Sequence, residues 1–198
     1  MLFLVVHLST NLLMLTGDRA AFDKAVQFLL TNPFIKVMEY VLFAGFLTHI
    51  LMGVFVWFKN KKARPVGYKV AQNSTTSPFS KFMMHSGGVI FVFLLIHFYH
   101  FFFVKIGLVP LPPNALNTHD FYSISVYLFQ QPAVSFIYIL SFVFLAFHLY
   151  HGFQSAFQTF GLNHPKYFGI IKIAGAVYAL AISIGFSIIP IYFLFFYN

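Results

Sequence analysis

Nine histidines, no cysteine and only four acidic residues set the chemistry open to this chain of 198 residues. His7, His49, His97, His100, His148 and His151 stand inside apolar stretches, where an ionisable side chain is costly and marks a site with a partner. One such histidine is as readily an interhelical hydrogen bond. Four of them, on four different helices, are poorly explained that way. Without cysteine there is no disulfide framework, no cysteine-ligated iron–sulfur cluster and no thiolate nucleophile within the chain. A redox cofactor would need nitrogen, oxygen or methionine ligands. A zinc or copper site would more often use closely spaced ligands with carboxylate or sulfur beside them, and the acids here lie almost entirely between the apolar stretches. A b-type haem needs two axial imidazoles from opposing helices, and that demand fits the histidines better.

Depth sorts the histidines. His7 precedes the turn at Gly17 by roughly 15 Å of helix, and His97 precedes Lys105 by roughly 12 Å. Both belong to one half of the membrane. His49 and His148 follow Pro33 and Pro132 by roughly 24 Å of helix, which puts them together in the other half. The expectation is two pairs at two heights. His100 and His151 each sit three residues beyond a chosen histidine, on roughly the same helical face, and either could be the ligand instead or bond a propionate. Depth disfavours His100 and leaves His148 and His151 undivided. His85, His119 and His164 fall in loops or at helix ends and suit solvated or headgroup-facing roles. Small residues near the histidines (Gly45 and Gly53, Gly87 and Gly88, Gly152) leave room for a flat cofactor, although close helix packing also uses them.

The elements that carry these residues follow from composition. Sixty per cent of the chain is apolar and 8% is charged, with a mean hydropathy of +0.82. A soluble domain carries roughly a quarter charged residues, so this chain needs lipid around it. A spanning helix takes about 20 apolar residues. Residues 33–58, 79–104, 132–160 and 167–186 meet that test, with apolar sequence continuing beyond Pro190. Residues 1–15 are short for a span, and they lack the basic start and cleavage site of a secretory signal. The fold expected is an all-α membrane protein, an up-down bundle of five transmembrane helices with the first truncated at its N-terminus. It forms one transmembrane domain over 1–198.

The net charge of +8 reflects topology, and no nucleic-acid partner is expected. Lys59, Lys61, Lys62, Arg64, Lys69 and Lys81 fall in or beside the second connection, while Lys166 and Lys172 flank the fourth. By the positive-inside rule the loops 59–80 and 161–167 are cytoplasmic. The opposite end carries Arg19, Lys24, Lys36 and Lys105 with all four acids, Asp18, Asp23, Glu39 and Asp120.

The order of these motifs resembles the single-chain, five-helix, di-haem cytochrome b anchor of succinate dehydrogenases and fumarate reductases. The resemblance runs through nearly the whole chain. It rests on FLVVHLSTN with His7, LTNPFIKVMEY leading into FLTHILMGVFVWF with His49, SGGVIFVFLLIHFYHF with His97, and FLAFHLYHGFQSAFQTFG with His148. A histidine followed four residues later by glycine, at His49 and Gly53 and at His148 and Gly152, is its most specific part. The resemblance implies two haem b groups, the outer held by His7 and His97 and the inner by His49 and His148, and it favours His97 over His100 and His148 over His151. It also implies flavoprotein and iron–sulfur subunits docked on the cytoplasmic face of a bacterial inner membrane. Electrons would pass between those subunits and a membrane quinone, menaquinone before ubiquinone. Such an anchor oxidises no succinate alone. Some relatives carry a membrane glutamate two residues before the inner-haem histidine of the fourth helix. Here that position is Ala146, so a proton route through it is not expected. Glu39, the only glutamate, could serve the outer quinone site, and a simple headgroup-level acid is an equal reading of it.

Three other readings share part of this pattern. A cytochrome b of another quinone-linked dehydrogenase or a hydrogenase would keep the histidine chemistry without this motif order. A ferric reductase-like cytochrome would reduce metal at an outer site, with no soluble dehydrogenase attached. A transporter would use the histidines as a proton relay and bind no haem.

Overall fold

The computed structural model describes residues 1–63, 82–162 and 164–197; Arg64, Lys69 and Lys81 of the basic cluster lie outside them. Every element described is helical. An apolar helix α1 (Leu2–Leu12) tightens into a 3-10 turn (Leu13–Thr16) that stops at Gly17, whose φ of 77° is left-handed. Glycine takes that conformation without the steric penalty a side chain would meet. Next come α2 (Arg19–Thr31), α3 (Pro33–Lys62), α4 (Met83–His97, continued through a π turn at Phe98–Phe102 to Phe103–Lys105), α5 (Phe121–Phe129), α6 (Pro132–Thr159) and α7 (Pro165–Phe195).

The starts of these helices are written in the sequence. Pro33, Pro132 and Pro165 each occupy a first turn, where the absent N–H would have had no intrahelical partner. Asp18, Asn32 and Asp120 are side-chain N-caps, accepting from the backbone N–H of Ala21, of Phe34 and Ile35, and of Ser123 respectively. Four helices, α3, α4 with its continuation, α6 and α7, are long and apolar enough to cross a membrane, and α1 is a shorter apolar helix beside them. The result is the all-α, five-helix membrane bundle. Two features depart from expectation. The last helix begins at Pro165 and runs through Pro190 to Phe195, rather than spanning 167–186. Pro190 is tolerated because it sits in the packed interior, where neighbouring helices can hold a proline-bearing helix together. In addition α2 and α5 fold as short helices at the end that bears the acids, in stretches for which no helix was expected.

Packing is uneven. Helices α6 and α7 lie closest, and a Cβ placed on Gly175 would meet Phe153 at 3.0–3.3 Å. Helix α4 leans on α6, and α1 on α7, where a Cβ on Gly185 would meet Leu8 at 2.7 Å. The interior formed this way is aromatic, with Tyr138, Phe142, Phe186 and Phe193 at its centre. Helix α3 contributes no buried residue and packs closely mainly on α2. It reaches the rest of the bundle through side chains, Phe46 to Phe3, Phe43 to Phe98 and Phe102, and Glu39 to Lys105.

The acid-bearing end is closed by α2 and α5. The Arg19 guanidinium donates to Asp120 at 2.8 Å and lies 5.3 Å from the centre of the Tyr122 ring, which also packs on Phe22. Asp120 is 3% exposed and accepts further bonds from the N–H groups of Leu116 and Ser123. Desolvation alone would raise this carboxyl. The two backbone donors and Arg19 outweigh it and hold Asp120 below the usual aspartate value.

Candidate functional site

Of the six histidines in the apolar segments, four meet as two cross-helix pairs. His7 of α1 faces His97 of α4, with ring centres 5.9 Å apart and planes at 85°. His49 of α3 faces His148 of α6, with centres 6.0 Å apart and planes at 88°. Among the described residues no hydrogen bond joins the two rings of either pair. The pairs lie at different heights. Ser86 and Gly87 of α4 touch His148, and His97 comes after them by roughly 15 Å of helix. On α6, Tyr138 touches His97 and precedes His148 by a similar roughly 15 Å.

Each pair has its own surroundings. His7 stacks on Phe3 at 5.3 Å and meets Phe186 at 5.6 Å. Asn11, one turn along, donates its amide to the His7 carbonyl at 2.7 Å and brings the same Nδ2 to within 3.4 Å of His7 Nδ1. His97 is ringed by Phe93, Phe101 and Tyr138, and its Nδ1 is buried with no hydrogen-bond partner among the described residues. Such a nitrogen is costly unless it finds a partner of its own. At the other level the Oγ of Ser86 stands 3.4 Å from Nδ1 of His148. A Cβ on Gly87 would meet the same ring at 3.5 Å, an ordinary contact, so this turn of α4 lies against His148.

The glycines near the histidines divide into two kinds. A Cβ on Gly45, Gly53, Gly88 or Gly152 would meet nothing within 4 Å among the described residues, so these four do not serve close helix packing there. Gly45 and Gly53 flank His49 by one turn on each side and leave that face of α3 without a large side chain. His49 keeps an exposed ring there, while His148 is half-buried.

His100 goes elsewhere. Its Nδ1 lies 3.0 Å from the hydroxyl of buried Tyr138, and the two rings stack at 16°. His100 lies within the π turn at Phe98–Phe102. Both it and His97 reach Tyr138, so the two share a side of α4, while His97 is the one that meets His7. His151 remains on α6 without joining either ring pair. His85, His119 and His164 are exposed, and His164 accepts the Lys166 N–H at the start of α7.

Glu39 and Lys105 form an ion pair at 3.1 Å between α3 and α4, at the acid-bearing end. Sequence reasoning missed Tyr138, Asn11 and Ser86 as neighbours of the histidines. Asn11 carried a signal, since it stands four residues after His7 on the same face. Tyr138 and Ser86 carried none, because their contacts cross between helices. Among the described residues no group of three or more histidine, cysteine, aspartate or glutamate side chains assembles to hold a bare metal ion. The donors come in twos.

An all-helical, multi-spanning membrane protein with histidines paired across its helices has a cytochrome-b-like architecture. No family model, curated protein or solved structure matches the chain.

Proposed function

We propose that this chain is a di-haem cytochrome b anchor of a succinate dehydrogenase or fumarate reductase complex, linking an iron–sulfur subunit to membrane quinone. One observation carries the haem reading, the separation of the paired rings. An imidazole nitrogen lies about 1.1 Å from its ring centre and about 2.0 Å from a transition metal it ligates, so two imidazoles on one metal have centres about 6.2 Å apart. Two rings joined directly by a hydrogen bond of about 2.9 Å would have centres about 5.1 Å apart. The values of 5.9 and 6.0 Å stand near the first. Two protein ligands with no third suit a haem, whose macrocycle supplies the other four donors.

On this reading His7 and His97 hold the outer haem, and His49 and His148 the inner. Haem b supplies one-electron transfer between two heights in the membrane when bound. The chain's own part is to hold the imidazoles, wall them with phenylalanine and tyrosine, and exclude water. The open faces at Gly45, Gly53, Gly88 and Gly152 admit a broad flat group. Lys59, Lys61 and Lys62 at the end of α3 would dock the iron–sulfur subunit on the cytoplasmic face of a bacterial inner membrane. Glu39, paired with Lys105 at the other end, is the group to exchange protons with a quinone, most readily menaquinone. The succinate dehydrogenase or fumarate reductase assignment rests on the motif order of the sequence.

The test is purification from native membranes, with a reduced-minus-oxidised spectrum and identification of co-purifying subunits. Two b-type haems per chain with a flavoprotein and an iron–sulfur protein support the proposal. A haem-free chain overturns it in favour of a histidine proton relay. Haem with other dehydrogenase or hydrogenase subunits, or with none, moves the chain to a different cytochrome b.

A further inference from the structure

We infer that the Ser86 hydroxyl is a positioning residue for the inner histidine pair, fixing the tautomer and donor strength of His148 from a different helix. This rests on the reading that the inner pair holds haem.

The argument starts with how many hydrogens the hydroxyl has. A serine carries one O–H donor and two acceptor lone pairs. Ser86 is 5% exposed, and its hydroxyl donates to the Met83 carbonyl at 3.1 Å. That uses its only hydrogen. Toward His148 Nδ1, at 3.4 Å, the oxygen has only lone pairs to offer. A neutral imidazole carries its proton on one nitrogen, and an oxygen that can only accept selects the tautomer with the proton on Nδ1. Nε2 is then left with a bare lone pair, as a metal ligand requires. The opposite arrangement, with the hydroxyl donating to Nδ1, would put the proton on Nε2 and break the Met83 bond.

The seat is also shaped for this ring. Gly87, next in sequence, lies against Cε1 of His148, so α4 offers an oxygen and a flat patch side by side. Among the described residues, His151, one turn on along α6, has no such seat on α4. Nor does a second acceptor of this kind stand at the outer pair, where Asn11 presents an amide nitrogen to His7 and His97 Nδ1 is unpartnered. The two levels therefore differ in how strongly their imidazoles are held and polarised. An acceptor on the far nitrogen raises the basicity of a ligating imidazole, which favours the ferric state and lowers the potential of that haem.

The experiment uses the full chain in its native membrane assembly. Redox titration and ferric low-spin electron paramagnetic resonance spectra are recorded for wild type, Ser86→Ala and Ser86→Thr. The inner component is identified by its absence from His49→Ala. Ser86→Ala is expected to raise the inner potential, by up to about 59 mV for a tenfold change in the one-electron equilibrium. The inner g-values should move while the outer component stays in place. Ser86→Thr, which keeps the hydroxyl, should restore both. Loss of inner haem in Ser86→Ala but not in Ser86→Thr also supports the inference. Unchanged inner potential and g-values in Ser86→Ala overturn it and leave the haem reading standing, as does an equal shift in both variants, which would be a packing effect. Wild-type membranes with no low-spin haem on this chain overturn the haem reading, and the inference with it.

Discussion

Replacing Asp120 by alanine removes the carboxylate that ties the two surface helices to the bundle, and the cost can be worked out bond by bond. Asp120 caps α5 through the Ser123 N–H at 3.2 Å, and loss of such a cap costs about 1 kcal/mol. The Leu116 N–H at 3.1 Å loses its acceptor, for about 1 kcal/mol more. The Arg19 pair is worth only about 0.5 kcal/mol, because the arginine side chain is 43% exposed and solvent-screened. The total is about 2.5 kcal/mol, or roughly 5–10 °C in melting temperature for a chain of this size. Thermal denaturation of the detergent-solubilised protein, followed by far-UV circular dichroism, reads it directly. The pH dependence has a definite sign. Asp120 is depressed in the folded state, so its stabilisation is full above the unfolded carboxylate value of about 3.9 and is lost as pH falls through the lower folded value. The gap between wild type and Asp120→Ala should be constant from about pH 5 to 8 and shrink below about pH 4. A difference under about 2 °C at neutral pH, or a gap that closes on the alkaline side, would refute the reasoning.

His100→Ala and Tyr138→Phe each break the 3.0 Å contact between them at about 1 kcal/mol, and both should retain two haems. Haem loss in His100→Ala with retention in His97→Ala would reverse the assignment. Gly185→Ala forces a Cβ to within 2.7 Å of Leu8, the neighbour of His7, at about 1–3 kcal/mol of overpacking. Its visible spectrum should change in the outer component first, and equal change in both components would count against the pairing. Glu39→Gln loses the Lys105 pair at less than about 1 kcal/mol. It should slow quinol-linked turnover with haem content unchanged, and full turnover would remove Glu39 from the quinone site.

Much of the bundle was legible because membrane helices obey simple rules. Apolar runs of the right length and prolines at first turns mark α6 almost to the residue and the start of α3, while α7 extends past both of its expected ends. Pro190 misleads, since proline stops helices in water and is carried inside them where neighbours pack around it. Helices α2 and α5 were missed because their apolar stretches are short and interrupted, although Asp18 and Asp120 stand where N-caps belong. The pairing of His7 with His97 and of His49 with His148 came from counting rise per residue along antiparallel helices. The same counting put His100 on roughly the face of His97, where both meet Tyr138, and only packing decides that His97 is the one facing His7. Ser86 and Tyr138 were invisible for another reason. Their partners lie on a different helix, at a register that only packing decides.

The central claim is that four histidines hold two haems as two pairs, and haem content of the single variants His7→Ala, His49→Ala, His97→Ala and His148→Ala tests it most directly. The account predicts two matched outcomes, with His7→Ala and His97→Ala losing the same spectral component and His49→Ala and His148→Ala losing the other. Losses that pair in any other way, or haem that survives all four substitutions, would contradict it.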